Sequence, residues 1–167
     1  MSDKLWAPWR MDYISAPKEK GCVFCNKSKS KEVQKSLVLY KAKKCFVLMN
    51  LYPYTNGHLM ISPFKHTSDT NDLSNECNLE IMVLANECFR ILKKNLKAEG
   101  FNFGLNLGKI GGAGLEEHLH YHIVPRWLGD NNFMPVIGNN RIIMQGLEET
   151  WIGLKPDFDK LKNSHVA

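Results

Sequence analysis

Short apolar runs separated by polar turns predict several β-strands along this chain. Two of these runs, 38–40 and 45–49, flank the lysine-rich segment 41–44, a pattern that indicates a β-hairpin. A short apolar run between turn residues, or an alternation of apolar and polar residues, is typical of a strand. The predicted strands cover residues 38–40, 45–49, 58–62, 102–107 and 118–124.

The segment 74–98 has the periodicity of an amphipathic helix instead. Its apolar residues recur at intervals of three and four, and they are Cys77, Ile81, Leu84, Cys88 and Ile91. Asp72 or Ser74 is suited to cap the start, and lysines favour the C-terminal end. A second helix is predicted at 142–154 and should end at Pro156, because proline lacks the N–H that a helix interior needs.

These elements predict an α+β fold, with a five-stranded antiparallel sheet, one long helix and a shorter C-terminal helix. We predict an N-terminal arm at 1–20, one packed domain at 21–155 and a C-terminal tail at 156–167. The arm contains Trp6 and Trp9 without helical periodicity. Their rings therefore need to pack on this domain or on a partner subunit.

Composition and charge narrow the class of protein. Hydrophobic residues make up 44% of the chain and charged residues 23%, values that are ordinary for a soluble globular protein. The sequence has neither an apolar run of membrane-spanning length nor a signal-peptide pattern, so we expect a cytoplasmic protein without a membrane partner. The net charge of +5 suits an anionic substrate and is too small to indicate nucleic-acid binding.

The five cysteines do not indicate a disulfide framework, since their number is odd and no secretory signal precedes them. Cys45, Cys77 and Cys88 lie in apolar or helical contexts and are predicted to be small core residues. Cys22 and Cys25 form a Cys-x-x-Cys pair, predicted to lie on a loop. This spacing suits either a zinc site or a redox pair.

The strongest chemical signal is the strand that contains His118, His120 and His122. Alternate residues of a strand point to opposite faces, so these three imidazoles share one face. Three buried polar rings need three partners, which makes a purely structural role unfavourable. Two chemical roles remain, namely three ligands of a catalytic metal or a nucleophilic imidazole positioned by its neighbours.

The segment before this strand favours phosphate chemistry. Residues 106–114 contain four glycines and Lys109, and glycine lets backbone N–H groups approach an anion closely. Plain metal hydrolysis does not require such a segment. We therefore expect a phosphate-containing substrate.

The alternation of histidine with apolar or aromatic residues over 118–124 resembles the signature of the histidine-triad (HIT) superfamily. The run 112–133, with its Gly-Ala-Gly and Pro-Arg-Trp segments, is similar to the prokaryotic branch related to diadenosine tetraphosphate phosphorylases. The opening segment 5–10 is similar to one in the same branch. The resemblance implies a HIT-like sheet and spans about residues 5–154.

The resemblance also implies catalytic roles. His120 would attack the α-phosphorus of a nucleotide to give a nucleotidyl-histidine, which water or another acceptor then resolves. His122 would hydrogen-bond phosphate or leaving-group oxygens, and His118 would help to set the geometry of the ring and the strand.

Further residues are implied to contact the nucleotide, through the sugar, the base or the phosphates. Gly114 stands where many family members carry glutamine, and this departure fits the phosphorylase-like branch. The proposed contacts are Leu48, Asn50, Leu51, His58, Asn106, Gly114, Leu115, Arg126 and Trp127.

A structural zinc ion and a homodimer are implied as well, with no organic cofactor. The zinc ligands would be Cys22, Cys25, His66 and His118. The predicted function is cleavage of dinucleoside polyphosphates, such as diadenosine tetraphosphate, by hydrolysis or phosphorolysis. The alternatives are a nucleoside phosphoramidase, a nucleotide-binding regulatory module, and a hydrolase that uses the three histidines as metal ligands.

Overall fold

The computed structural model describes residues 21–130, 143 and 145–161. The predicted arm, with its tryptophans, lies outside the described residues, as do 131–142, 144 and the end of the chain from 162. None of the described helices is both long and apolar enough to cross a membrane.

The described residues form the predicted five-stranded antiparallel sheet. Its strand order is β1-β2-β3-β5-β4, so the last two strands of the chain exchange places relative to the sequence order. In the register, His122 of β5 lies opposite Met60 of β3 and Gly104 of β4. The strands are β1 (Val38–Lys41), β2 (Cys45–Met49), β3 (Leu59–Pro63), β4 (Gly100–Leu105) and β5 (Tyr121–Arg126).

In the part of the chain that the structure describes, three α-helices accompany the sheet, one more than predicted: α1 (Val23–Lys29), α2 (Asn75–Leu96) and α3 (Leu147–Asp159). The long helix α2 begins after Ser74, whose hydroxyl accepts a hydrogen bond from the N–H of Cys77, as the capping prediction requires. The helix ends at Leu96, and the C-cap residue Lys97 adopts a left-handed conformation with φ of 55°.

Helix α1 corrects the prediction that the Cys-x-x-Cys pair lies on a loop. Cys22 is the N-cap residue of α1, and Cys25 lies in its first turn. The helix is only seven residues long, and of these Phe24 alone is buried. A helix this short does not repeat its apolar face, so no periodicity was there to indicate it.

The predicted end of the last helix at Pro156 is also wrong. Helix α3 continues to Asp159 with Pro156 inside it. Proline removes the hydrogen bond to the carbonyl of Ile152, but both residues are exposed, so water can solvate that carbonyl. The opposite face carries the buried Phe158, which packs in the core. Part of the segment assigned to a tail is therefore packed on the domain.

Apolar residues cover both faces of the sheet. Helices α2 and α3 pack on one face, where the cluster includes Ile61, Leu119 and Ile123 together with the predicted core cysteines at 45, 77 and 88. The other face has a smaller cluster, in which Phe24 of α1 joins Val38, Phe46, Leu48 and Met60. The candidate chemistry lies on this second face.

A buried carboxylate joins α2 to the β1–β2 turn. One carboxylate oxygen of Glu80, Oε1, accepts hydrogen bonds from the N–H groups of Lys44 and Cys45, both at 2.7 Å. These turn N–H groups would otherwise lack a partner in the protein interior, which is unfavourable. Glu80 thus holds the β1–β2 hairpin against the helix.

Candidate active site

The histidine segment is fastened to β3 and the residues that follow it. The hydroxyl of Ser62 donates to the carbonyl of Leu119 at 2.9 Å, and the N–H of Leu119 donates to the carbonyl of Thr67 at 2.8 Å. His118 Nε2 lies 2.9 Å from the carbonyl of Pro63 and donates its proton there. These contacts hold 118–120 in place although the regular strand begins only at Tyr121.

The predicted alternation of faces is confirmed. Leu119 and Ile123 belong to the core cluster under α2, whereas the rings of His118 and His120 contact Phe24 on the other face. The rings of His120 and His122 are 5.0 Å apart and nearly perpendicular.

The surroundings of His120 determine which of its nitrogens can react. Nδ1 lies 2.8 Å from the carbonyl oxygen of His118, and a carbonyl can only accept, so Nδ1 carries the proton. The lone pair of the neutral ring is therefore on Nε2. Phe24 stacks on the ring at 4.7 Å between centroids, and burial lowers the pKa of His120, which favours the neutral form that a nucleophile requires.

His58 contacts His122 directly. Its Nε2 lies 3.0 Å from His122 Nδ1, and its side chain is almost fully buried. The N–H of Tyr54 donates to His58 Nδ1 at 3.1 Å, and the amide nitrogen of Asn50 lies 3.3 Å from the same atom. The other end of the Asn50 amide accepts from the N–H of Tyr52 at 2.9 Å.

His122 is held in its neutral form. Burial, followed by the charge of neighbouring His120, lowers the pKa of His122 to about 4. Tyr54 adds an aromatic ring stacked at 5.9 Å, and the same ring lies 4.6 Å from that of His58. At neutral pH His122 is consequently an uncharged imidazole.

A second cluster unites the four residues predicted to bind zinc. Their ligand atoms, one from each of Cys22, Cys25, His66 and His118, all lie within 4.8 Å of one another. His118 Nδ1 is 3.2 Å from both Cys22 Sγ and His66 Nδ1, and Cys25 Sγ is 3.5 Å from His66 Nδ1. Since Nε2 of His118 donates to Pro63, its Nδ1 presents a lone pair to the cluster.

The donor set and its spacing fit a tetrahedral metal ion. Zinc bonds of about 2.0–2.1 Å to nitrogen and about 2.3 Å to sulfur imply ligand separations of roughly 3.3–3.8 Å. Four contacts between ligand atoms of the cluster, at 3.2–3.6 Å, are close to that range, and all four ligand atoms lie within 4.8 Å of one another. Imidazole lone pairs that face each other also repel unless a cation or a proton lies between them.

The glycine-rich segment forms an exposed loop with its own hydrogen bonds. Gly108 and Gly112 have positive φ angles of 65° and 87°, which other residues rarely adopt. The amide of Asn106 donates to the carbonyl of Gly112 at 3.4 Å, so this predicted substrate contact is engaged within the loop. Gly114 and Leu115 are exposed, and open space surrounds the α-carbon of Gly114.

The structure does not bring Arg126 and Trp127 to the histidines. They lie four and five residues beyond His122, or roughly 13 Å and more along an extended chain. The guanidinium of Arg126 makes a two-pronged contact with Asp130, at 2.6 and 2.8 Å, and the indole N–H of Trp127 donates to the carbonyl of Leu96. In this chain both residues fix the end of β5.

Leu48 and Leu51, the two leucines predicted to contact the nucleotide, differ in their exposure to solvent. Leu48 is fully buried in the cluster with Phe24, whereas Leu51 is exposed. Phe24 and Tyr54 were not predicted, although both rings pack on the histidines. One feature of the sequence could have indicated Phe24, namely its position between Cys22 and Cys25.

A sequence model of the HIT domain matches residues 31–127. The chain belongs to the HIT family. It is 37% identical over 155 residues to a protein of Mycobacterium tuberculosis named AP-4-A phosphorylase, covering 88% of this chain and 80% of that protein. It is 29% identical over 154 residues to an adenosine 5'-monophosphoramidase of Saccharomyces cerevisiae, covering 91% and 84% of the two chains.

Solved structures agree with the fold of this HIT protein. A zinc-bound histidine triad family protein from Mycobacterium smegmatis superimposes with a TM-score of 0.64 at 25% identity, covering 84% of this chain and 94% of that one. A histidine triad nucleotide-binding protein from Sulfolobus tokodaii has a TM-score of 0.66 at 22% identity and shows the fold alone, covering 87% and 99%.

The low pKa of His122 predicts how stability depends on pH. Between pH 6.5 and about 4 the unfolded chain binds a proton at this residue while the folded protein does not, so acid favours unfolding. Water reaches part of the ring and weakens the effect of the pKa shift on stability. The free energy of unfolding should therefore fall by about 1–2 kcal/mol from pH 7 to pH 4.5.

Urea titrations of the native protein and of His122→Gln at both pH values measure this contribution. The variant should lose less stability on acidification, by about that amount. An equal loss in the two proteins would show that His122 is not the group responsible.

Proposed function

We propose that this HIT protein cleaves dinucleoside polyphosphates at an α-phosphate through a covalent nucleotidyl intermediate on His120. The observation that carries the proposal is the 2.8 Å contact from His120 Nδ1 to the carbonyl of His118, since it directs the lone pair to Nε2. A neutral imidazole with a fixed tautomer is ready to attack phosphorus without a separate base.

In the proposed reaction, His120 Nε2 bonds to the α-phosphorus, and the bond to the bridging oxygen breaks. The departing oxygen takes the bonding electrons and leaves with the remaining polyphosphate. Nδ1 keeps its proton, and its bond to the His118 carbonyl stabilises the positive charge on the substituted ring. His122 and the N–H groups of the glycine loop donate hydrogen bonds to phosphate oxygens as their charge grows.

Similarity to named relatives supports the substrate class. The Mycobacterium tuberculosis relative, 37% identical, is named AP-4-A phosphorylase, and a more distant relative from Dictyostelium discoideum, 27% identical over 94 residues, is named bis(5'-adenosyl)-triphosphatase. Both names describe cleavage of adenosine-capped polyphosphates. The yeast phosphoramidase relative, at 29% identity, makes phosphoramidate cleavage the second candidate.

The products from diadenosine tetraphosphate test the proposed reaction. With inorganic phosphate, a phosphorylase gives ADP plus ATP, whereas hydrolysis at the α-phosphate gives AMP plus ATP. His120→Gln should lower kcat by about 1,000-fold or more, because it removes the nucleophile. Chromatography of the nucleotides and mass spectrometry of the quenched protein measure turnover and the adenylyl adduct.

The same substitution at His165, which lies beyond the matched HIT residues, is the matched control and should leave turnover unchanged. Near-normal turnover by His120→Gln would exclude covalent catalysis at this residue. Tight nucleotide binding without turnover on any substrate would favour a regulatory binding module.

We further propose that Cys22, Cys25, His66 and His118 hold a structural zinc ion. The distances within the cluster and its two-sulfur, two-nitrogen donor set support this assignment, as does the zinc-bound relative from Mycobacterium smegmatis. The ion would join α1, the segment after β3 and the histidine segment, and a four-ligand site leaves no position open for substrate. It would therefore stabilise the fold and take no part in bond cleavage.

Metal analysis of the purified protein should find one zinc ion per chain, and Cys22→Ser combined with Cys25→Ser should abolish it. The double variant should lose several degrees in Tm, because no metal ion then joins the three segments. Cys88→Ser, a change at a buried cysteine outside the cluster, is the control that should keep its zinc. Zinc retained by the double variant would disprove this ligand set.

We also propose a homodimer in which a second copy packs beside β4. Among the described residues no strand pairs with the outer edge of β4, and such an edge is a template for another chain. Phe89 of α2 packs on Phe101 and Phe103 of this strand, and the half-exposed Met82 lies two turns earlier on the same side of the helix. An apolar stripe next to an open strand edge supports an interface there.

Light scattering at micromolar concentration should give twice the mass of the chain. Met82→Glu should shift the protein towards the monomer, since it buries a charge in the proposed interface. Ile152→Glu introduces the same charge at an equally exposed site on α3 and should leave the dimer intact. A monomeric native protein would refute the proposal.

A further inference from the structure

Two donors fix the proton of His58. The N–H of Tyr54 can only donate, and it points at His58 Nδ1 from 3.1 Å. The amide of Asn50 presents its nitrogen to the same atom, because its oxygen is already used by the N–H of Tyr52. With two donors directed at it, Nδ1 of His58 acts as the acceptor and the ring proton is on Nε2.

The position of the His58 proton in turn determines which nitrogen of His122 carries a proton. His58 Nε2, which carries the proton, lies 3.0 Å from His122 Nδ1, so Nδ1 of His122 is the acceptor. The proton of the His122 ring is then on Nε2. The backbone N–H of Tyr54 thus sets, through His58, the tautomer of His122.

The constraint limits what His122 can do with protons. A second proton on Nδ1 would put two N–H groups face to face at 3.0 Å, so the imidazolium form is disfavoured. His58 cannot accept that proton in turn, since its Nδ1 already receives the N–H of Tyr54 and the amide of Asn50. Among the described residues, the other titratable side chains in ring contact with His122 are His120 and Tyr54, and neither relieves the clash.

We propose that Asn50 and His58 are positioning residues that hold His122 as a hydrogen-bond donor and prevent it from acting as a general acid or base. This inference rests on the proposed function and specifies its substrate class. The site would favour leaving groups that depart as anions and acceptors that attack as anions.

Leaving groups and acceptors differ in the protons that they must gain or lose. A polyphosphate leaves the α-phosphorus with the electrons of the broken P–O bond and needs no proton, because the anion is stable. The amine of a phosphoramidate must gain a proton to leave as a neutral molecule, and His122 does not supply it. In the second step a phosphate anion bonds to phosphorus and the P–N electrons return to His120 Nε2, whereas water must also lose a proton to solvent.

The proposal gives Asn50 a positioning role beside the nucleotide contact implied by the resemblance. The nitrogen of its amide is directed at His58 and the oxygen accepts from the N–H of Tyr52, so both ends of the amide make hydrogen bonds inside the 50–58 loop. The specificity of the site would then depend on hydrogen-bond direction as well as on pocket shape.

A series of adenosine 5'-phosphate derivatives with different leaving groups tests the proposal. We would measure kcat/KM for diadenosine tetraphosphate, the p-nitrophenyl and phenyl esters, and adenosine 5'-phosphoramidate. General acid catalysis contributes about 100- to 10,000-fold, so the phosphoramidate should react at least ~100-fold more slowly than the p-nitrophenyl ester. Inorganic phosphate should also compete with water for the adenylyl group.

Two variants of equal side-chain length separate positioning from structure. His58→Gln can place an amide N–H near the original Nε2, whereas His58→Met offers no donor at that point. The glutamine variant should retain the preference between the two leaving groups. The methionine variant should narrow it about 10-fold or more, because His122 becomes free to take a second proton.

Nitrogen-detected NMR of the resting protein reads the tautomers without any substrate. His58 and His122 should both be neutral with the proton on Nε2, and in His58→Met the His122 signals should titrate at higher pH. A proton on His122 Nδ1 would overturn the inference, and so would equal rates on ester and phosphoramidate. Absence of turnover on every substrate would instead count against the proposed function and leave the NMR result as the test of the hydrogen-bond directions.

Discussion

The rest of the site depends on the way His118 is held. Its Nε2 donates to the carbonyl of Pro63, its Nδ1 faces the cysteines of α1, and its own carbonyl accepts the proton of His120 Nδ1. One residue therefore fixes the histidine segment to β3, completes the proposed metal site and sets the tautomer of the proposed nucleophile. Phe24 adds a second connection, because its ring contacts both His118 and His120.

Hydrogen-bond direction is the common principle of both halves of the site. A carbonyl acceptor next to His120 leaves Nε2 with a lone pair, whereas a backbone donor next to His58 leaves His122 with a proton on Nε2. Two imidazoles 5.0 Å apart thereby receive opposite roles, one as electron-pair donor and one as hydrogen-bond donor. The distinction comes from main-chain groups on different segments and not from the histidines themselves.

Sequence patterns predicted the sheet, the long helix and the shared face of the three histidines, because a strand or an amphipathic helix repeats its apolar positions. They missed α1, where a helix of seven residues buries only Phe24, and they misplaced the end of α3, where Pro156 is accommodated on the exposed face. The Asp130 partner of Arg126 was not predicted, because pairing at i and i+4 is a property of helices and Arg126 ends a strand. The backbone donor to His58 was not predicted either, because every residue but proline carries a backbone N–H.

The separation of the site residues along the chain has a consequence for how the protein folds. Cys22 and His118 are 96 residues apart, and His58 and His122 are 64 apart, yet each pair is in contact. Contacts between distant segments form late, since the chain entropy of closing large loops opposes them until nearer structure is in place. The candidate active site therefore depends on closing two large loops, and these contacts cannot form before the histidine segment and β5 have been synthesised.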